Sequence, residues 1–489
     1  MKPTPGCFYW GLLVVFAFQL LLAFVLQHSR ALEHFSQLGE SERDRYSHKG
    51  RSDNTSCPQH VGPPCPRFYV NDMPDYRPGD PVFISEELRR NMSVRGSQYL
   101  ELILQGAPPE SDFADGWDVM SGSAGRALLF LHLYKNSVER DEQQAKSFLA
   151  IAARYVNSSL QAVEKDNSAE KNQMVGFMYS AVGPYSVAAV IYDLLGDAPK
   201  SQTYISRVLA TFKEVLKGKR AFPDPFDEGK AGLLFAAYFL NDHFGGKRDG
   251  APYVIPAEWL NELAHSMLSA GVRTGNGTVL KWRNVAYPDV VLYDQGHGTS
   301  GVLFQMMHLS KFMANATVSN LIRSTLDFLL TLQLPNGNFP TPTVPPLPEE
   351  PDVLLQWCHG APGYIPLFTK AWILYNDHRY LNAAKRAAEA VWKRGLLTKG
   401  LMLGHGVSGN TYMFLYMYRM TKDPKYLYQA IRFQEYALSH AIMSDPEVMR
   451  KPEPSPFMFF VGSYASAAVL WSDMLSSLKL ACMPAFEVC

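Results

Sequence analysis

Gly406-Val407-Ser408-Gly409-Asn410-Thr411-Tyr412-Met413-Phe414-Leu415-Tyr416-Met417-Tyr418 is the stretch on which the fold turns. After its two glycines it is apolar on nearly every face of a helix, the pattern of a helix buried on all sides. The same short phrase, small residues at Gly-x-x-Gly spacing followed at once by a helical apolar run, recurs along the chain. Its other instances are Gly122-Ser-Ala-Gly125, Gly183-Pro-Tyr-Ser186, Gly229-Lys-Ala-Gly232, Gly298-Thr-Ser-Gly301, Gly360-Ala-Pro-Gly363 and Gly462-Ser-Tyr-Ala465. Successive first glycines lie 61, 46, 69, 62, 46 and 56 residues apart. Each interval holds two helices of ordinary length with their connections.

Between the apolar runs lie amphipathic ones, such as Tyr380-Leu-Asn-Ala-Ala-Lys-Arg-Ala-Ala-Glu-Ala-Val391. Buried helices alternating with half-exposed ones predict two concentric rings, an all-α toroid of seven helical hairpins over residues 83–480. An open solenoid of the same hairpins is the alternative. No convincing alternating-polarity strand is visible, so a β domain is not expected. In a closed ring the seven inner-helix starts surround one mouth. Helix N-termini carry partial positive charge and free N–H groups, so the mouth is expected to suit anions, thiolates or a metal-bound hydroxide.

The 489 residues are 47% hydrophobic, enough for a large core. Lys+Arg and Asp+Glu are both 46, and no basic stripe appears, which argues against a nucleic-acid partner. The short cluster Lys213, Lys217, Lys219 and Arg220 reads as the solvated end of an amphipathic helix. From Phe8 to Leu26 the one strongly polar residue is Gln19, and Tyr9 and Trp10 flank the run. A run of that length can span a bilayer, so residues 1–27 are expected to be an uncleaved signal anchor, with a cleaved signal peptide as the alternative. Residues 28–82, rich in Ser, Arg, His, Asp and Pro, read as a disordered linker, and residues 481–489 as a C-terminal tail.

Sequons at Asn54, Asn91, Asn157, Asn276 and Asn315 suggest a glycoprotein with a lumenal or extracellular body, a type II single-pass membrane protein. The close cysteine pairs Cys57/Cys65 and Cys482/Cys489 suit an oxidising compartment. Reduced thiols on the cytosolic face of a membrane remain the alternative. The Pro-rich segment Leu334–Pro351 cannot be helical and is expected to form a long loop over the mouth.

In three consecutive repeats a histidine directly precedes the first glycine: His297, His359 and His405. Equal phase in the repeat should bring them to one height around a common space, together with Cys358. Here a resemblance becomes specific. Trp357-Cys358-His359-Gly360-Ala361-Pro362-Gly363 resembles the signature of the lanthionine synthetase C-like (LanC-like) proteins. His405-Gly406-Val407-Ser408-Gly409-Asn410 resembles their next repeat, and Gly296-His297-Gly298 the preceding one.

The resemblance implies a seven-hairpin toroid with one zinc ion at its mouth. There a thiol is activated for addition to a dehydroamino acid, and the eukaryotic relatives use glutathione. Peptide or glutathione-like thiol substrates follow as the expected partners, with the membrane reached through the N-terminal helix. Cys358 and His405 match two metal ligands, and His297 matches the acid/base histidine. His359 is a further candidate for catalysis or for a third donor. The family's second cysteine falls at Gly404, which has no side chain to give, whereas a catalytic zinc takes three protein ligands and one open position. Two other readings stand beside an altered thioether-forming enzyme. One is a pseudoenzyme that binds a peptide or glutathione-like ligand. The other is a carbohydrate-active α/α-barrel protein using carboxylates such as Asp118, Asp224, Asp227, Glu228 and Asp294, although an acidic residue before a helix is most often a cap.

Overall fold

A computed structural model describes residues 67–110, 116–166, 173–245, 254–283, 292–341, 354–439 and 455–488. The expected anchor, most of the linker, Asn54, Cys57, Cys65, Cys489 and residues 342–353 of the Pro-rich loop lie outside the described residues. No helix among the described residues is long and apolar enough to cross a membrane.

The helices are α1 (Glu86–Gly106), α2 (Ser123–Ser137), α3 (Glu142–Lys165), α4 (Val182–Leu194), α5 (Ala198–Leu216), α6 (Lys230–Phe244), α7 (Ala257–Ala270), α8 (Thr299–Met306), α9 (Ser310–Met313), α10 (Ala316–Thr331), α11 (Ala361–Tyr375), α12 (His378–Arg394), α13 (Val407–Thr421), α14 (Pro424–Ser439) and α15 (Ser463–Ser477). Helices α2, α4, α6, α8, α11, α13 and α15 each pack on the next, and α15 packs on α2, so the inner ring closes. The outer partners are α3, α5, α7, α10, α12 and α14, with α1 pairing α15. The first described helix thus completes the last hairpin, and an open solenoid is ruled out.

The two rings differ as their patterns predict. Inner α13 buries every residue from Val407 to Met417. Outer α12 buries Tyr380, Leu381, Ala383, Ala384, Ala387, Ala388 and Val391 along one stripe. Each large apolar side chain so buried contributes about 1.5–3 kcal/mol. A short antiparallel hairpin, β1 (Val272–Thr274) with β2 (Val279–Lys281), was not foreseen. Three-residue strands are too short to display an alternation.

Outer helices are capped by side chains: Ser85 on α1, Asp141 on α3, Asp197 on α5, Asn315 on α10 and Asp377 on α12. Inner helices α2, α6, α8 and α13 are capped by their own preceding loop, which doubles back. On α8, the amides of Thr299, Ser300 and Gly301 donate to the carbonyls of Leu292, Tyr293 and Asp294; on α2, those of Ser123, Ala124 and Gly125 donate to Gly116, Trp117 and Asp118. This fold-back explains the second glycine of the phrase. A Cβ on Gly301 would stand 2.1 Å from the Gln295 carbonyl oxygen, and one on Gly409 1.8 Å from that of Leu403. It also corrects the expectation of free amides at the mouth, because loop carbonyls already occupy them.

Gly183 meets the Phe177 carbonyl in the same way, at 2.1 Å. It is therefore the second small residue of its repeat, and Ser180 takes the first position. The phrase in that repeat is shifted by three residues from the reading made on sequence spacing alone.

Both ends of the described chain are built into the ring. From residue 67 the chain straps the outside: Phe68 bridges Leu397, Tyr69 donates its amide to the Leu396 carbonyl at 2.7 Å, and Trp392 donates to Asp75 at 2.7 Å. The end of the expected linker is thus ordered, because Tyr69 and Tyr76 pack on Tyr436 and Tyr428. The segment expected as a tail plugs the inside. Phe486 is 1% exposed, and its ring lies 5.7 Å from Phe226, 5.0 Å from Phe304 and 5.2 Å from Trp357. Cys482 is disulfide-bonded, and Cys358 is a free thiol.

Candidate active site

The loops before the inner helices place two tiers of side chains around the axis. Two residues before the first small residue of each repeat stand Met120, Met178, Asp227, Gly296, Cys358, Gly404 and Phe460, all buried. One residue before it stand Ser121, Tyr179, Glu228, His297, His359, His405 and Val461, of which all but Glu228 are half-buried. The buried tier is stitched together by backbone hydrogen bonds from repeat to repeat. Asp227 donates to Gly296 (3.1 Å), Cys358 to Gly404 (3.4 Å), Gly404 to Phe460 (2.9 Å), Phe460 to Met120 (3.1 Å) and Met120 to Met178 (3.3 Å). The upper tier carries Glu228 and the three histidines and opens toward solvent, while Asp227 and Cys358 lie in the buried tier.

Within this frame, donor atoms of His297, Cys358 and His359 lie within 4.8 Å of one another. The two imidazole centroids are 5.1 Å apart. Each imidazole is backed by a carboxylate: His297 Nδ1 lies 3.2 Å from Asp227 Oδ2, and His359 Nδ1 lies 2.9 Å from Asp294 Oδ2. Nδ1 of each ring is thus directed at its carboxylate, and the Cys358 sulfur lies within 4.8 Å of a nitrogen of each ring. Asp294 also accepts the His297 amide at 2.8 Å. Gly296 is needed here, because a Cβ on it would come within 3.0 Å of Asp227 Oδ2 and 3.2 Å of Cys358 Cβ.

Cys358 is 2% exposed. Burial by itself would raise its pKa, but the charges of His405 and His359 and hydrogen bonds from His297 and His359 outweigh it and hold the thiol well below its ordinary value. Burial opposes the charge on His297, yet Asp227 and then Cys358 raise its pKa to about 10. Burial likewise opposes His359, and Cys358 with Asp294 raises it to about 11. Burial pushes Asp227 up to about 6 against the pull of His297. The centre is a thiolate among imidazolium groups, and its positive character comes from side chains.

His297, His359 and Cys358 come together, three of the four residues that the shared repeat phase was expected to gather. His405 is near enough to act on the Cys358 charge, but the close trio is completed by His297 and His359. The place of the family's second cysteine is not open: Phe460 covers Gly404. A Cys-His-His donor set nonetheless suits zinc, and the backing of imidazoles by carboxylates is the usual outer support of such ligands.

Sequence reading took Asp227 and Asp294 for caps and missed Gln356 and Lys399. Gln356 Nε2 donates to Cys358 Sγ at 3.1 Å, and Lys399 Nζ donates to Gln356 Oε1 at 2.7 Å. The repeat phase held a usable signal, because Asp227 occupies the same step as Cys358 one tier below the histidines. The described start of the Pro-rich loop is latched to the same motif: Asn338 accepts the Ala361 amide at 2.7 Å and donates to the Leu354 carbonyl at 3.0 Å.

A closed double ring of helices with a carboxylate-backed thiol–imidazole centre at its mouth defines the class. The chain belongs to the lanthionine synthetase C-like protein family, which it matches over residues 114–463. It is 30% identical over 417 residues to glutathione S-transferase LANCL1 of Danio rerio, covering 83% of this chain and 93% of that protein. It is 28% identical over 326 residues to LanC-like protein GCL1 of Arabidopsis thaliana, covering 64% and 70% respectively. Among solved structures, nisin cyclase aligns with a TM-score of 0.48 at 15% identity, covering 79% of this chain and 94% of that one.

Proposed function

We propose that this protein adds a glutathione-like thiol to dehydroamino acid residues of a peptide. The observation that carries the reading is the Cys358 thiol held between His297 and His359, each backed by its own carboxylate. The relative named as a glutathione S-transferase supports the choice of thiol. In the addition, the substrate sulfur bonds to Cβ, the alkene electron pair moves to Cα, and Cα takes a proton, so the thiol hydrogen ends on Cα.

Zinc would be held by Cys358 and His359, whose donor atoms lie together, with His405, which the family resemblance matches to a metal ligand, as the third donor, and when bound it would keep a substrate thiol ionised near neutral pH. His297 moves the proton. Asp227 lies against its Nδ1, and with its pKa raised to about 10 His297 carries the proton that Cα takes; the proton released by the substrate thiol then replaces it. His359 is held in the same way by Asp294. Two of the carboxylates that a glycosidase reading would need are therefore spent on imidazoles, which favours the thiol reading.

The body is proposed to be lumenal or extracellular, anchored by residues 8–26; the exposed sequons and the disulfide at Cys482 support this. The test of function is mass spectrometry of a dehydroalanine peptide incubated with glutathione and purified protein. One glutathione should add with the wild type and not with His297→Ala or Cys358→Ala. A wild type that leaves the peptide unmodified overturns the reading.

A further inference from the structure

Gln356 stands two residues before Cys358 and is 3% exposed. A carboxamide has one end that only accepts hydrogen bonds and one that only donates them. Lys399 decides which end goes where. Its ammonium has no lone pair, so at 2.7 Å it can meet only Oε1. The amide nitrogen is thereby turned toward Cys358 Sγ at 3.1 Å.

The backbone holds the same residues in place. The Gln356 amide donates to the His359 carbonyl at 2.9 Å, and the His359 amide donates to the Gln356 carbonyl at 3.0 Å. Cys358 therefore sits inside a four-residue bridge, clasped by both the main chain and the side chain of Gln356. Lys399 comes from the next repeat. Its loop is fixed by the strap at the start of the described chain, where the Thr398 amide donates to the Arg67 carbonyl at 3.1 Å.

We infer that Gln356 is a positioning residue for the Cys358 sulfur, and that Lys399 acts by fixing the orientation of its amide. The N–H···S bond takes one acceptor direction of the sulfur, and ring nitrogens of His297 and His359 lie within 4.8 Å of it. A reversed amide would instead set a carbonyl oxygen against an electron-rich sulfur. The hydrogen bond stands on geometry alone; its consequence for thiol addition rests on the function proposed above.

The test uses full-length protein carrying nitrogen-15 in its glutamine side chains. Gln356→Leu identifies the Gln356 amide signals by their loss. In the wild type one of the two amide protons should lie well downfield of the other. Both Lys399→Met, at a half-buried position that tolerates an apolar side chain, and Cys358→Ala should bring them together. Signals that do not move in Lys399→Met, or do not move in Cys358→Ala, overturn the proposal.

Cobalt(II) titration reads the consequence. Gln356→Leu, Lys399→Met and Gln356→Glu, which keeps the lysine partner but has no donor, should each shift the sulfur-to-cobalt absorption and weaken binding by about tenfold to hundredfold. Equal cobalt spectra and affinities in all three would also overturn it. If the wild type adds no glutathione to a dehydroalanine peptide while the amide signals behave as stated, the functional reading fails and this one stands.

Discussion

The ring of Phe460 lies where a side chain at residue 404 would begin: a Cβ on Gly404 would stand 2.9 Å from Phe460 Cδ1 and 3.0 Å from Cε1. Phe460 is itself fully buried and packs edge-on against Trp357, with centroids 5.1 Å apart. Gly404→Cys alone should therefore overpack the site and lose about 1–3 kcal/mol of stability. Combined with Phe460→Leu, the cysteine gains room beside Cys358, and zinc should bind more tightly than to the wild type. Denaturant titration and a chelator-competition assay check both parts. A single variant as stable as the wild type would show that Phe460 is free to give way.

Asp227 is expected to act through His297. Asp227→Asn removes the charge that holds Nδ1 and lowers the imidazole pKa from its raised value of about 10. Turnover should fall by about 10–100-fold, and the basic limb of the pH profile should move to lower pH. A drop in rate with an unmoved profile would mean that Asp227 merely supports the loop.

The stability of the metal-free protein should decline on the alkaline side. His297 and His359 have folded pKa values of about 10 and about 11 against an ordinary 6.5. Their contribution is complete below pH 6.5 and is lost as pH rises through the folded values. Cys358, lowered from 9.0, acts in the opposite sense, but one thiol offsets only one of the two imidazoles. Above pH 9 the unfolded thiol has also released its proton, so the decline should steepen toward pH 10. Thermal melts in chelator from pH 7 to 10 give the curve, and a flat curve contradicts the assignment of charge.

One buried carboxylate joins three helices at the seam of the ring. Asp473 on α15 accepts from His132 and Asn136 on α2, at 2.6 and 2.7 Å, and from Tyr412 on α13, at 2.7 Å. Asp473→Ala leaves the Tyr412 hydroxyl and the His132 imidazole without their acceptor where the first and last inner helices meet, while Asn136 keeps Ser472 at 2.9 Å, and should cost about 2–4 kcal/mol. Urea unfolding measures it. A loss below about 1 kcal/mol would place the strength of the seam in its apolar contacts.

Asn276 sits exposed at the β1–β2 turn with φ 57°, and Asn315 sits exposed at the start of α10. Both are open to a glycosylating enzyme in the secretory pathway. Full-length protein from eukaryotic cells should drop in apparent mass on deglycosylation, and Asn276→Gln with Asn315→Gln should shrink the shift. Unglycosylated protein that a protease reaches from the cytosolic side would overturn the proposed topology.

Periodicity by itself determined the helical hairpins and favoured a double ring, and the packing of α15 on α2 closed it. Recurring small residues ahead of all-round apolar runs, alternating with one-sided ones, leave a double ring as the economical burial of every helix. The shared step of His297, His359 and His405 likewise announced a cluster, because repeats of equal geometry turn equal sequence phase into equal height. What only the tertiary structure decided are relations between repeats, which no spacing encodes. The phase of the second repeat had to be read from the carbonyl that Gly183 meets, since Ser180 looks like an ordinary polar residue in sequence. Asp227 and Asp294 read as caps until neighbouring loops set them against His297 and His359. Gly404 read only as a residue with no side chain to give, and what fills its place, Phe460, lies 56 residues later in sequence. Local pattern follows from which surfaces must be buried, whereas a particular contact depends on how closed loops from different repeats approach one another, and that is settled only when the ring has formed.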